Sequence, residues 1–244
     1  MRPHDAIPDR YADETTKRSF VGDVFSHGAR YYDRIGRIGF FGTGKFYRKR
    51  AVERAGLRPG MQALDVACGT GAVTRVIFEA LGGAGQVCGV DPIENMLAEA
   101  RKSVPVPFHL GHAEALPFPD RSFDFLSMGY ALRHVSDLNR TFNEYRRVLR
   151  PGGRLLILEI TRPQARLAFV LSRLYFRDIL PTVSWMVTGS SAAFKMMSYY
   201  WQTIDACVPP STIMAAMSQA GFLDVQHVVE LSVFSAYTAA APMS

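Results

Sequence analysis

The chain has 244 residues, 48% of them hydrophobic and 20% charged, with a formal net charge of +6. That length suits one large domain, or one domain with an insertion, and Cys68, Cys88 and Cys207 are too few and too scattered for a disulfide framework or a paired-cysteine metal site. The basic surplus reads as solvated surface or, more sharply, as attraction to anionic lipid headgroups; without a dense basic stripe or a nucleic-acid motif, no nucleic-acid partner is expected.

Residues 1–20 mix acids and bases, do not read as a signal peptide, and suggest a flexible lead-in with some helical character. Val24 to Arg54 reads as helix, interrupted at Gly36, Gly39, Gly42 and Gly44. An alternation then begins. Strands are expected at 61–67, 86–91, 106–111, 122–129 and 153–160, with helices at 72–81, 92–102 and 137–149 between them. Gly82-Gly83 and Pro151-Gly152-Gly153 punctuate two of the junctions. Strands alternating with helices of this length imply parallel βαβ units. Residues 162–205 are expected to be mostly helical and rich in aromatic and Met residues; their longest apolar run, Leu167 to Val187, is broken by Arg173, Arg177, Asp178 and Pro181. No run reaches the roughly 20 residues of a membrane span, so a cytoplasmic protein is expected. A helix over 211–222 and strands at 224–230 and 232–240 close the chain. The fold class is therefore α/β. A Rossmann-like, mostly parallel sheet has helices on both faces, an antiparallel C-terminal strand, a helical N-terminal segment and a helical insertion before the last strands.

The first expected strand runs into Asp65-Val66-Ala67-Cys68-Gly69-Thr70-Gly71. Two glycines at a strand-to-helix turn let the backbone approach a ligand closely. The dinucleotide fingerprint would need a third glycine where Thr74 stands. Asp65 beside the loop would repel a pyrophosphate and attract the ammonium group of S-adenosylmethionine. Asp91 ends the second strand, where an acid accepts hydrogen bonds from ribose hydroxyls. Ala113 and Glu114 follow the third strand in His112-Ala113-Glu114-Ala115-Leu116-Pro117-Phe118 and are placed to face an adenine. Pro92, Met96 and Met128 complete the expected cofactor set with Ala67, Cys68, Gly69, Thr70 and Gly71. Each residue also has a plain reading: Asp65 or Asp91 as a cap, Glu114 as a surface charge.

These segments resemble class I S-adenosylmethionine-dependent methyltransferases and, more narrowly, the ubiquinone/menaquinone biosynthesis C-methyltransferases of the UbiE type. The resemblance runs from about Val24 to Val233. It is carried by Tyr32-Asp33, the Asp65–Gly71 loop, Ala113–Asp120, Ser122-Phe123-Asp124, Leu132-Arg133-His134-Val135-Ser136-Asp137, Arg147–Gly153 and Leu158-Glu159-Ile160. The family's Leu-Arg-Asn becomes Leu132-Arg133-His134, its Tyr-Asp-x-x-Asn ends in Gly36, and its C-terminal His-Arg pair gives way to Ser235-Ala236-Tyr237.

The resemblance implies S-adenosylmethionine as cofactor and a lipophilic quinol or phenol as acceptor. It implies a lid over residues 1–55, a cofactor core over 56–161, an acceptor-side insertion over 162–208 and a last helix and strands over 209–244. Arg133, His134 and Tyr32 are the expected catalytic residues, and no metal is expected. Arg133 suits phenolate stabilisation, because its pKa above about 12 makes it a poor base. His134, ordinarily near 6.5, suits proton acceptance. Arg166, Arg173 and Arg177 would face a membrane surface in peripheral contact. Oligomeric state stays open, a homodimer included. So do a natural-product acceptor, amino instead of methyl transfer to a quinone, and a cofactor-binding protein without catalysis.

Overall fold

The apolar runs between residues 62 and 160 become the centre of a 7-stranded sheet in the computed structural model, which describes residues 1–7, 9–39 and 42–243. Residues 40 and 41, inside the expected helical stretch, lie outside the described residues. The strands are β1 (Gln62–Val66), β2 (Gln86–Asp91), β3 (Phe108–Leu110), β4 (Phe123–Gly129), β5 (Leu149–Ile160), β6 (Leu223–Glu230) and β7 (Phe234–Ala240). Their order is β3-β2-β1-β4-β5-β7-β6, and only β7 runs antiparallel to its neighbours. The order reverses between β1 and β4, so a crevice opens there at the carboxyl ends of the strands.

Helices α1 (Glu14–Gly39), α2 (Gly44–Arg54), α3 (Ala72–Leu81), α4 (Glu94–Ser103) and α5 (Leu138–Val148) accompany the parallel half. Helices α6 (Arg166–Arg173), α7 (Leu180–Thr188), α8 (Ser191–Ala206) and α9 (Pro210–Gln219) follow, with a π-helical segment at Leu174–Ile179 joining α6 to α7. Phe142 and Tyr145 of α5 and Met217 of α9 pack on Leu64, Leu126, Leu155 and Tyr237 on one face. Ala51 and Val52 of α2 and Ile77 of α3 cover Phe125, Leu156 and Leu158 on the other. A third cluster joins Val24, Phe25 and Ile35 of α1 to Met196, Tyr199 and Trp201 of α8 and to Met96 of α4. That cluster lays α1 across the carboxyl edge of the sheet.

Four boundaries differ from the sequence expectation. The lead-in is not loose: Tyr11 is 4% exposed and its hydroxyl meets that of Tyr199 at 3.3 Å, while the buried Lys17 donates to the Val135 carbonyl at 3.0 Å. α1 also runs unbroken through Gly36, because burial of Ile35 and Gly39 outweighs the roughly 1 kcal/mol that a helical glycine costs. The 106–111 strand shrinks to β3, since Pro107 has no N–H for the ladder. β5 instead extends back through Pro151-Gly152-Gly153 to Leu149, which pairs with Phe123. No helix among the described residues is long and apolar enough to cross a membrane.

Candidate active site

The β1–α3 turn is built as its glycines require: Gly69 and Gly71 have φ of 55° and 82°, conformations that strain any residue with a Cβ. Ala67 at the end of β1 and Tyr130 after β4 also have positive φ, at 51° and 62°. Non-glycine residues held this way cost about 1–3 kcal/mol each and gather at functional sites. They flank the crevice.

A cavity of about 440 Å³ fills that crevice. Asp65, Ala67, Cys68, Gly69 and Thr70 line one side, and Tyr32, Tyr130, Met197, Tyr200 and Phe234 the other. Asp65 is 0% exposed; it accepts from the Ser127 hydroxyl at 2.6 Å and the Thr74 hydroxyl at 2.7 Å. Burial pushes its carboxyl up to about 6, against the pull of those two hydroxyls. Thr74, where the dinucleotide fingerprint has glycine, thus has a positive task. Asp91 accepts from the backbone N–H of Gly69 and of Ile93, both at 2.9 Å, and burial pushes it to about 6 as well. Two N–H groups use only part of a carboxylate's acceptor capacity, and Asp91 lies beneath Gly69 and does not itself line the cavity. Asp33 of α1 accepts from the Thr70 hydroxyl at 2.5 Å and ties that helix to the loop.

The other expected cofactor residues lie behind this surface. Gly71 begins α3, and Pro92 opens the β2–α4 turn. Met96, Ala113 and Met128 are buried in the hydrophobic clusters, with the Tyr145 hydroxyl on the Met128 sulfur at 3.4 Å. Glu114 accepts from the Ser136 N–H at 2.6 Å, which pins the loop after β3 to the start of α5.

The three expected catalytic residues part company. Tyr32 reaches the cavity. Arg133 is fully buried one layer back: its Nη1 meets Glu159 Oε2 at 2.5 Å, its Nε donates to the Thr203 hydroxyl at 3.0 Å, and its guanidinium lies 4.3 Å from the Tyr200 ring centre. Glu159 lines a second cavity of about 570 Å³ beside α8 and α9. His134, the expected proton acceptor, sits apart from Tyr32. Its ring is held between Phe25 and Tyr199, does not line the cavity, and has no hydrogen-bond partner among the described residues. Burial, then the charges of Arg133, Lys17 and His4, hold it well below the usual histidine range, so it is neutral and weakly basic.

Residues 12–237 match the ubiE/COQ5 methyltransferase family. The chain is 33% identical over 86% of its length to a demethylmenaquinone methyltransferase of Symbiobacterium thermophilum, covering 88% of that protein. It is 33% identical, over 86% of this chain and 85% of the other, to the ubiquinone/menaquinone biosynthesis C-methyltransferase UbiE of Pseudoalteromonas translucida. Among solved structures, a SAM-dependent methyltransferase of Thermotoga maritima superposes with a TM-score of 0.64 at 21% identity, covering 90% of this chain and 98% of that one, and shares its fold. With a glycine turn beside two buried acids, this sheet order and this span of matching sequence, the chain is a methyltransferase and belongs to the ubiE/COQ5 family.

Proposed function

We propose that this methyltransferase takes its methyl group from S-adenosylmethionine and places it on a ring carbon of a lipophilic quinol or phenol, the acceptor class for which its relatives are named. The observation that carries this reading is the two-sided cavity, with a buried acid on one wall and aromatic and apolar side chains on the other. Asp65 meets the ammonium group, Asp91 the ribose hydroxyls, and the backbone of Ala67, Cys68, Gly69, Thr70 and Gly71 the body of the nucleoside. Pro92, Met96, Ala113 and Met128 back that surface, and Glu114 holds the adenine-side loop in place.

The cofactor supplies an electrophilic methyl on a sulfonium, and the protein's contribution is chiefly alignment. Burial raises the phenols of Tyr32, Tyr130 and Tyr200 above their usual range, so each stays neutral and donates a hydrogen bond to an acceptor oxygen. Arg133, behind Tyr200 and paired with Glu159, turns the positive end of that ion pair toward the Tyr200 ring, which favours the acceptor in its ionised, nucleophilic form. The decisive experiment is mass spectrometry of lipid-soluble quinones from cells with and without the protein. A precursor lacking one methyl is expected in its absence; a product carrying nitrogen in place of the methyl would overturn the reading.

Peripheral membrane contact belongs to the same proposal. Leu167, Val170, Leu171 and Leu174 form one exposed stripe at helical spacing, and Leu167 is 72% exposed. Arg166, Arg173 and Arg177 border it, and Trp185 and Met186 of α7 add exposed apolar area nearby. Such a face suits an anionic bilayer surface. Replacing Leu167, Leu171 and Leu174 together by serine is expected to weaken sedimentation with anionic vesicles by about tenfold or more. Unchanged binding would remove this face from the proposal.

A further inference from the structure

The α2 helix carries a run of basic residues, and nearly all have an evident partner. Lys45 pairs with Glu79 at 2.8 Å, Lys49 with Glu53 at 3.9 Å and Arg54 with Glu230 at 2.7 Å; Arg50 lies over the Phe46 ring at 5.7 Å. Arg48 differs. It turns inward to line the same cavity as Asp65, and its Nε is buried with no hydrogen-bond partner among the described residues. Its Nη1 folds back over Gly44, 3.0 Å from where a Cβ would stand at that residue. The Arg48 charge also acts on Asp65, Tyr32, Tyr130 and Tyr200, which places it within electrostatic reach of the whole cavity.

Two opposite charges therefore share one cavity without bonding to each other. Asp65 has only neutral donors, the Ser127 and Thr74 hydroxyls and the Thr74 backbone, and Arg48 pairs with no carboxylate among the described residues. Asp65 is fully buried and Arg48 is half-buried with its Nε occluded, so a ligand bearing both charges offsets the large desolvation cost of the first and the smaller one of the second. A phenolate acceptor would satisfy only Arg48. The α-amino carboxylate end of the cofactor, with ammonium and carboxylate on one carbon, satisfies the two together.

We propose that Arg48 is the subsite for the cofactor's carboxylate, so that Arg48 and Asp65 recognise a zwitterionic amino-acid end and not a nucleoside alone. This rests on S-adenosylmethionine being the cofactor. Arg37 and Arg75, also at the cavity wall, are exposed and solvated and have less to gain from the same anion.

The test is calorimetric binding to the full chain of S-adenosylhomocysteine and of 5'-deoxy-5'-methylthioadenosine, which keeps the nucleoside and thioether but lacks the amino-acid end. Arg48→Met is expected to weaken S-adenosylhomocysteine by about tenfold or more, the scale of a charge-assisted hydrogen bond. Methylthioadenosine affinity stays within about twofold, and Arg48→Lys recovers part of the loss because a point charge replaces the bidentate fork. The melting temperature of Arg48→Met should match the parent, since no native partner is left behind. Unchanged S-adenosylhomocysteine affinity, equal loss of both compounds, or a fall in turnover alone would overturn the assignment. Failure of the parent protein to bind either compound would overturn the cofactor reading, and this inference with it.

Discussion

Asparagine at position 65 is expected to weaken S-adenosylhomocysteine binding by about a hundredfold or more while leaving the empty protein at least as stable as the parent. Losing one member of a buried charge pair costs about 2–5 kcal/mol of binding, and 1.36 kcal/mol is tenfold. The stability side follows from linkage. Burial raises the folded carboxyl from 3.8 to about 6, so the folded protein binds this proton more tightly than the unfolded chain does. Such a group opposes folding above pH 6, and the empty protein gains stability as pH falls from about 6 towards 4. Asparagine is neutral throughout and escapes that cost, which is about 3 kcal/mol at neutral pH. Its amide can still meet both hydroxyls, the NH2 donating to one oxygen and the Oδ1 accepting from the other. Parent affinity should decline as pH drops through about 6, because the acid must be charged to meet an ammonium group. The variant should show a shallower decline, owed to Asp91, which titrates in the same range. Calorimetry at pH 5.5 and 8 with paired melting curves checks each part; parent-like affinity in the variant would remove Asp65 from the cofactor site.

The positions of Asp65 and Asp91, at strand ends beside the glycine turn, are legible in the sequence from the strand-to-helix alternation. Their supports are not. Ser127 is one polar residue in an apolar strand, and nothing local says that its hydroxyl meets Asp65 across the ladder between β1 and β4. Thr74 reads only as a missing glycine until α3 turns it back onto the strand. The lead-in reads as loose because its residues are polar, yet Tyr11 and Lys17 are buried by partners more than a hundred positions away. Arg48 hides among neighbouring bases whose direction depends on where α2 docks. The two closing strands are legible, by contrast, but their order in the sheet, with β7 between β5 and β6, is not. Local chemistry travels in the sequence; the facing of side chains across elements does not.

That limit is sharpest at Arg133 and His134, adjacent in one motif and held in a three-residue helical turn, Leu132–His134, that sends both inward to different partners. Arg133→Ala is expected to destabilise the protein by about 3–5 kcal/mol, because it leaves the Glu159 carboxylate, 3% exposed, without its cation. Glu159→Leu alone should cost a similar amount by stranding Arg133. The double variant, Arg133→Met with Glu159→Leu, removes both charges while keeping volume, and should recover most of that loss in urea unfolding. Turnover separates structure from chemistry. If the Arg133 charge acts on the acceptor through the Tyr200 wall, the restored double variant binds S-adenosylhomocysteine normally, and its single-turnover rate falls by about tenfold or more. The single variant Glu159→Leu keeps the arginine yet should not reach the parent rate, since a guanidinium held by Thr203 only is free to turn away from Tyr200. A double variant that is stable and fully active would reduce the buried pair to a strut, and the acceptor's ionisation would then rest on the cavity's tyrosines.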